Sequence, residues 1–129
     1  MLQQLADRRR REKALVLAED GEIRKVKELL LVPGKAPECA DVLILAQACF
    51  AGFVPEEARK LLEAGLNAFP DSEEIRAFLG LAWHLEGQPD MGNQVLEKLL
   101  PRTNRAGDMA RKLTGTRTRE EYRWISRQL

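Results

Sequence analysis

Residues 39–70 read CADVLILAQACFAGFVPEEARKLLEAGLNAFP, and residues 73–101 read EEIRAFLGLAWHLEGQPDMGNQVLEKLLP. The two stretches match at a spacing of 34 residues, which pairs the small residues Ala46 and Gly80; a second small pair follows 12 residues later in each stretch. Small side chains let two helices cross closely. A helix pair that cannot bury its apolar face alone does so by stacking on a copy of itself. The repeat therefore predicts an array of stacked helix pairs.

The rest of the chain has the same helical character. Apolar residues recur at helical spacing, Gly and Pro separate the segments, and no alternating β-branched run of useful length occurs. The 129 residues are 44% hydrophobic and 5% aromatic, which suits one aliphatic core. The predicted helices span residues 5–18, 22–31, 41–51, 56–68, 73–85, 90–100, 103–113 and 119–129. The sequence predicts an all-α fold in a single domain, residues 1–129.

The matched positions resemble the tetratricopeptide repeat (TPR) superfamily. The positions that carry the resemblance are Leu45, Ala46, Cys49, Ala58, Leu62 and Pro70 in the first stretch, and Leu79, Gly80, Trp83, Gly87, Gly92 and Leu96 in the second. The resemblance implies a right-handed α–α superhelix, a TPR-like solenoid of about three helix pairs. Its parts would be a degenerate repeat at 7–37, repeats at 39–70 and 73–101, and a C-terminal capping segment at 102–129.

The resemblance also implies a function. TPR proteins hold a peptide or helix in a concave groove lined by the first helix of each unit, so we expect a non-enzymatic adaptor or chaperone that binds another protein. The matching groove positions are Ala40, Leu43, Gln47, Phe50, Ala51, Glu74, Ala77, Leu81, His84 and Leu85, with Arg8, Arg11, Leu15, Ala18 and Glu19 in the degenerate unit. The residues predicted to bind the partner are Leu43, Gln47, Phe50, Leu81, His84 and Leu85. TPR chaperones of type III secretion systems are similar in length, repeat number and groove character, so such a chaperone is one candidate.

Three occupants of the predicted groove stay open at this point. One is an amphipathic helix or extended apolar segment of another protein. Another is the protein's own C-terminal helix, because Tyr122, Trp124 and Ile125 need burial. Self-association as a homodimer is the third. Replacing Leu43 and Leu81 together by Glu is predicted to abolish partner binding while leaving the helices intact.

Charge along the chain suggests an alternative function. The 21 Lys and Arg and 20 Asp and Glu give a net charge of +1, but residues 1–13 and 102–129 are basic and residues 14–101 are acidic. The densest basic patch consists of Arg8, Arg9, Arg10 and Arg11. A nucleic-acid-associated helical protein that uses these basic ends is the alternative. The acidic middle weighs against it, so nucleic acid is not expected as a partner.

Residues for catalysis or for metal binding are sparse. His84 is the only histidine, and Cys39 and Cys49 lack the spacing and the histidine companions of a zinc site. The glycines form no phosphate-binding loop. We therefore expect no enzymatic activity, no cofactor and no metal. The sequence also contains no apolar run long enough to span a bilayer and no cleavable signal, so we expect a cytoplasmic protein without a membrane partner.

Overall fold

The computed structural model describes residues 2–115, which form seven α-helices and one 3₁₀ turn within that range. The helices are α1 (Leu2–Glu19), α2 (Ile23–Leu30), α3 (Cys39–Ala51), α4 (Pro55–Ala68), α5 (Glu73–Leu85), α6 (Pro89–Leu96) and α7 (Arg105–Gly115). No strand occurs among these residues, which confirms the predicted all-α class. The helix predicted over residues 119–129 lies outside the described residues.

Local sequence signals set where several helices begin. The Ser72 hydroxyl accepts a hydrogen bond from the backbone N–H of Ile75 (3.2 Å), as expected for the N-cap of α5. Glu38 and Asp41 form a capping box at the start of α3. Prolines occupy the first turn of α4 and of α6, where the missing N–H costs no hydrogen bond.

The helix predicted over residues 90–100 is shorter in the structure. α6 ends at Leu96, and the chain continues as a 3₁₀ turn, Glu97–Leu99. Such tightening is common at helix ends. Here it brings Leu99, which is only 2% exposed, into the core.

The helices pack in successive pairs, α1 with α2, α3 with α4, and α5 with α6. The odd-numbered helices also contact one another in order, from α1 through α3 and α5 to α7. Each even-numbered helix contacts the odd-numbered helix that follows it. The even-numbered helices therefore each lie against two odd-numbered helices, and the odd-numbered helices form a continuous row.

The buried core is aliphatic and extends along this row. One cluster joins α1, α2 and α3 around Ala14, Val26 and Leu45. A larger cluster joins α3 to α7 and the 3₁₀ turn. Ile23 and Leu61 pack against both clusters, so the apolar interior is continuous.

The repeated small residues mark a very close helix crossing. A Cβ atom added at Gly80 of α5 would lie 2.4 Å from Cγ and Cδ2 of Leu96 in α6. A Cβ added at Gly92 of α6 would lie 3.0 Å from the carbonyl oxygen of Gly80 and 2.4 Å from His84 Cδ2. In the preceding pair the corresponding alanines, Ala46 and Ala58, are fully buried. The crossing distance therefore requires small residues, as the sequence pattern predicts.

Each of the three turns within the helix pairs contains one residue in the left-handed backbone conformation. Gly21, Phe53 and Gly87 have φ angles of +72°, +60° and +79°. Glycine adopts this conformation without strain, whereas a bulky side chain does so at a cost. Phe53 is nevertheless 72% exposed, so burial of its ring does not explain its presence in the turn.

Substituting Gly80 by Ala tests the close crossing. The new methyl group would collide with Leu96, which is fully buried and cannot move freely. We expect overpacking to cost about 1–3 kcal/mol in the free energy of unfolding, of which the ~1 kcal/mol that alanine gains over glycine within a helix offsets part, so the net loss should reach about 2 kcal/mol. Urea denaturation measures this difference.

Gly115→Ala is the matched control, because a Cβ at Gly115 in α7 has no atom within 4 Å. It should leave the protein equally stable or slightly more stable. If Gly80→Ala were as stable as this control, α5 and α6 would have to be farther apart than described.

Candidate functional site

The row of odd-numbered helices encloses a groove of about 300 Å³. Its lining comes from α1, α3, α5 and α7 and from none of the even-numbered helices. The groove is lined by Arg11, Leu15, Ala40, Leu43, Ile44, Gln47, Glu74, Ala77, Phe78, Arg105, Ala106 and Met109. Most of these side chains are apolar, and such a surface favours apolar ligands with a few polar contacts at the edge.

Part of the predicted partner-binding set lies in this groove. Leu43 and Gln47 line it and are half-buried. Leu15 and Ala77, which the repeat register also assigns to the groove, line it as well. Leu15 is 40% exposed, so its side chain can still contact a ligand.

The structure does not bring the other four predicted residues to the groove. Phe50, Leu81 and His84 are buried, and Leu85 is half-buried against the larger core cluster. Leu81 shares that cluster with Leu113 of α7, which packs against α5, whereas the ring of Phe50 lies edge-on to that of Phe78, with 6.1 Å between the ring centroids. Leu81 is 0% exposed, so Leu81→Glu would place a carboxylate in the core and would test folding rather than partner binding.

Helix α7 supplies the groove wall that sequence reasoning missed. Ala106 and Met109 face the apolar lining, and Arg105 stands at its edge. The spacing of Ala106, Met109 and Leu113 at three and four residues was the available signal. It shows that α7 is amphipathic but not which neighbour its apolar side contacts.

His84 lies at the interface between α5 and α6. Its Nε2 is 2.9 Å from the side-chain oxygen of Asn93, and its ring lies against Gly92. Burial lowers the pKa of His84 below its ordinary value, and the hydrogen bond to Asn93 opposes this only in part. The neutral imidazole therefore occupies the space that a side chain at Gly92 would otherwise fill.

An ion-pair network ties α1 to the start of α3 at one side of the groove. Arg11 Nε donates a hydrogen bond to Oδ1 of Asp41 (2.9 Å), and its Nη2 donates to the carboxylate of Glu38. Asp41, which is 3% exposed, also accepts the backbone N–H of Glu38 (2.9 Å). These hydrogen bonds raise the pKa of Arg11. The guanidinium thus forms an ion pair with a buried carboxylate while it borders the groove.

The run Arg8, Arg9, Arg10 and Arg11 does not form a single basic patch. Successive helix residues point about 100° apart, so the four side chains diverge around α1. Arg10 pairs with Asp7 (2.6 Å), and Arg11 pairs with Glu38 and Asp41. Arg8 and Arg9 remain exposed, and Arg8 pairs with Glu12 (3.2 Å).

A second polar network fixes the start of α7. Asn104 accepts the backbone N–H of Gly107 through its side-chain oxygen (3.0 Å) and donates through its amide nitrogen to Glu73 (2.9 Å). Glu73 also pairs with Arg102 (3.0 Å). The Asn104 hydrogen bond, assisted by Arg102, lowers the pKa of Glu73. The groove wall formed by α7 is therefore attached to the first turn of α5.

The cysteines are both free thiols. Cys49 is fully buried, and burial raises its pKa to about 11, so its thiol is protonated at neutral pH. Cys39 is half-buried, with its sulfur 3.5 Å from the Ser72 hydroxyl. Within residues 2–115, no three His, Cys, Asp or Glu side chains are grouped so that they could hold a metal ion.

Comparisons with known proteins found no family model, no curated protein and no solved structure that matches this chain. In the described part of the chain, none of the helices combines the length and the hydropathy needed to cross a bilayer. The function is therefore inferred from the groove and its surroundings.

Substituting Arg11 by Ala tests the network between α1 and α3. The change leaves the buried Asp41 carboxylate with only a backbone hydrogen bond, and we expect a loss of about 2–3 kcal/mol in the free energy of unfolding. Arg9→Ala removes an exposed arginine one position away and should change the stability by less than about 0.5 kcal/mol. Equal stability of the two variants, measured by urea denaturation, would contradict a structural role for Arg11.

The buried histidine predicts a pH-dependent stability. The pKa of His84 is below 6.5 in the folded protein, so the unfolded chain binds the proton more readily. The stability that neutral His84 contributes is complete above pH 6.5 and decreases as the pH falls below it. Unfolding free energies at about pH 7.5 and about pH 5.5 measure the decrease, in a range where most carboxylates stay charged. His84→Gln should show a smaller decrease; an identical one would exclude His84 as its source.

Proposed function

We propose that this protein is a non-enzymatic protein-interaction module that binds a short apolar helix or extended segment of a partner protein in the groove. The observation that carries the proposal is the lining of the groove, which is mostly apolar and is contributed by four successive odd-numbered helices. Affinity at such a surface comes from a few buried apolar anchors. An amphipathic helix can supply those anchors at three- and four-residue spacing.

We also propose that the helices form a right-handed, TPR-like solenoid. Three observations support this arrangement: the small residues at a 34-residue spacing, the left-handed residue in each of the three turns, and the row of odd-numbered helices along one surface. In such an array the first helix of each pair lines the binding surface. This likeness supports a role as a chaperone or adaptor. A chaperone of the kind found in type III secretion systems is one form of that role.

The edge of the groove carries charges of both signs. Arg11 is engaged by Glu38 and Asp41, Arg105 stands at the start of α7, and Glu74 is exposed on α5. A strongly charged ligand of either sign would gain little here, because attraction at one position is offset at another. An apolar segment with mixed charge along its edges suits this arrangement.

The described arginines give less support to the alternative of nucleic-acid binding. Two arginines of the basic run, Arg10 and Arg11, neutralise acidic residues of this chain. Residues 2–115 contain 17 Lys and Arg and 18 Asp and Glu, a net charge of −1. Phosphate binding requires basic side chains that can release counterions, and few remain on α1.

A matched pair of substitutions tests groove binding. Leu15 and Met91 are both 40% exposed, but Leu15 lines the groove and Met91 lies on α6 outside it. Peptides are first selected on the immobilised protein from a library of amphipathic helices, and their affinities are then measured in solution. Leu15→Glu should weaken binding by roughly tenfold or more, because it places a charge among the anchors.

Met91→Glu should bind the same peptides as tightly as the unsubstituted protein does. Both variants should keep the helical circular dichroism spectrum, since both side chains are exposed. Selected peptides that bind both variants equally would locate binding outside the groove and contradict the proposal.

A further inference from the structure

Exposed apolar side chains are concentrated at the end of the array that begins with α1. In the described part of the chain, α3 and α5 each pack between two odd-numbered helices, whereas α1 packs against one, α3. The end of a stacked helical array normally has a polar outer face, which keeps the array soluble. Eight large apolar side chains are exposed among residues 2–115, and six of them lie within residues 2–32: Leu2, Leu5, Leu15, Val16, Leu31 and Val32.

The outer side of α1 has a regular pattern. The buried residues Asp7, Ala14 and Ala18 mark the inner side of the helix. At about 100° per residue, six exposed residues lie on the opposite side within an arc of about 100°. Their spacing alternates between three and four residues, as along the contact line of a two-helix coiled coil. These residues, which we call the outer stripe, are Leu2, Leu5, Arg9, Glu12, Val16 and Glu19.

The outer stripe is complementary to itself when a second copy runs in the opposite direction. Its positions are symmetric about the point midway between residues 10 and 11. An antiparallel second copy of α1 therefore places Leu5 opposite Val16, and a two-fold axis makes this contact twice. In the middle of the stripe, Arg9 comes opposite Glu12, also twice. Opposite charges thus meet at the centre, with apolar side chains on both sides of them.

Charge selects this orientation. A parallel second copy would put Arg9 opposite Arg9 and Glu12 opposite Glu12, and contacts between like charges are unfavourable. Among residues 2–115 Arg9 pairs with no carboxylate, and Glu12 forms an exposed ion pair with Arg8 (3.2 Å). Exposed pairs of this kind contribute little, so Glu12 is available to the arginine of a second copy.

The remaining charge on this side of α1 opposes association only weakly. Arg8 and Lys13 lie beside the stripe, so three basic and two acidic residues give the outer side a net charge of +1. Repulsion between two such faces acts over a longer distance and is screened beyond about 10 Å at 0.1 M salt. The central pairs are in contact, where Coulomb attraction is strongest.

We propose that two copies of this chain associate through the outer stripe with their α1 helices antiparallel. An interface of one 18-residue helix from each copy is small, so we expect a weak dimer with a Kd of about 0.1 mM. At the micromolar concentrations of a urea titration such a dimer is dissociated, so Arg9→Ala stays a valid control for stability.

The dimer leaves the groove residues unused. Arg11 and Leu15, which line the groove, project from α1 about 100° or more away from Arg9 and Val16. Two grooves in one dimer would bind a partner with two apolar segments more tightly than one groove does. That consequence rests on the proposed function, whereas the dimer itself does not.

Sedimentation equilibrium of the whole chain tests the dimer. Between about 10 µM and about 1 mM, the average mass should rise from the 14.6 kDa of one chain towards twice that value. Arg9→Glu puts two glutamates opposite each other at both central contacts and should weaken association by about tenfold or more. Glu12→Arg should do the same, because it puts two arginines opposite each other.

An equimolar mixture of these two variants tests the antiparallel pairing. In the mixed dimer each central contact joins a glutamate of one variant to an arginine of the other, so the affinity should return to within about threefold of that of the parent chain. A chain with both substitutions should also dimerise, because the exchange reverses each pair. Weakened association that neither the mixture nor the double variant restores would overturn the pairing.

Two exposed positions outside the outer stripe provide the controls. Lys60→Glu reverses a charge on α4, and Ala40→Arg obstructs the groove; neither should change association. A parent chain that stays monomeric at about 1 mM overturns the proposal, and so does a dimer that the α1 substitutions leave intact. A dimer that Ala40→Arg abolishes means that the second copy occupies the groove, which also overturns it.

These outcomes are separate from those of the proposed function, because no peptide is present. Circular dichroism of each variant establishes that the helices are retained. The substituted side chains are all exposed, so loss of association with an unchanged spectrum reports on the interface.

Discussion

The close crossing of α5 and α6 is the constraint on which the described arrangement depends. The backbone at Gly80 lies so near α6 that a methyl group would overlap Leu96, and Gly92 faces it from the other helix. Dispersion contacts and burial both increase as helices approach, but only small residues allow this distance. While α6 lies this close, α5 also contacts α3 and α7, and the row of odd-numbered helices forms the groove.

Two polar networks give the groove its defined edges. Arg11 joins α1 to the capped start of α3, and Glu73 joins the first turn of α5 to the residues before α7. Both networks lie where odd-numbered helices begin. They fix the positions of these helix ends, which apolar packing alone would allow to slide along a neighbouring helix. Arg11, whose charge appears available to a ligand when the sequence alone is considered, is therefore engaged in an ion pair within the protein. This is why a run of arginines on α1 does not amount to a basic surface.

The candidate site could be predicted in part from the repeat register. Leu43 and Gln47 line the groove, as the register predicts, because side chains at fixed repeat positions face the same side of consecutive helices. Phe50 and Leu81 were expected on the same surface and are buried instead. The register describes how one helix pair packs on the next, but it does not describe where a helix outside the repeated pairs, such as α7, packs. The packing of α7 against α5 and of Phe50 against Phe78 depends on contacts between residues far apart in sequence.

The sequence by itself determined the helical class, most helix boundaries, the turns and the small residues at the crossing. These features arise from local preferences: caps, prolines, glycines at positive φ and apolar spacing act over a few residues. Only the tertiary structure decided which apolar faces remain accessible, which charges are paired and where His84 lies. Burial and ion pairing depend on the distance between segments about 10 to 30 residues apart, as with Arg11 and Asp41. No local pattern encodes such a distance, so these features emerge only when the helices have packed.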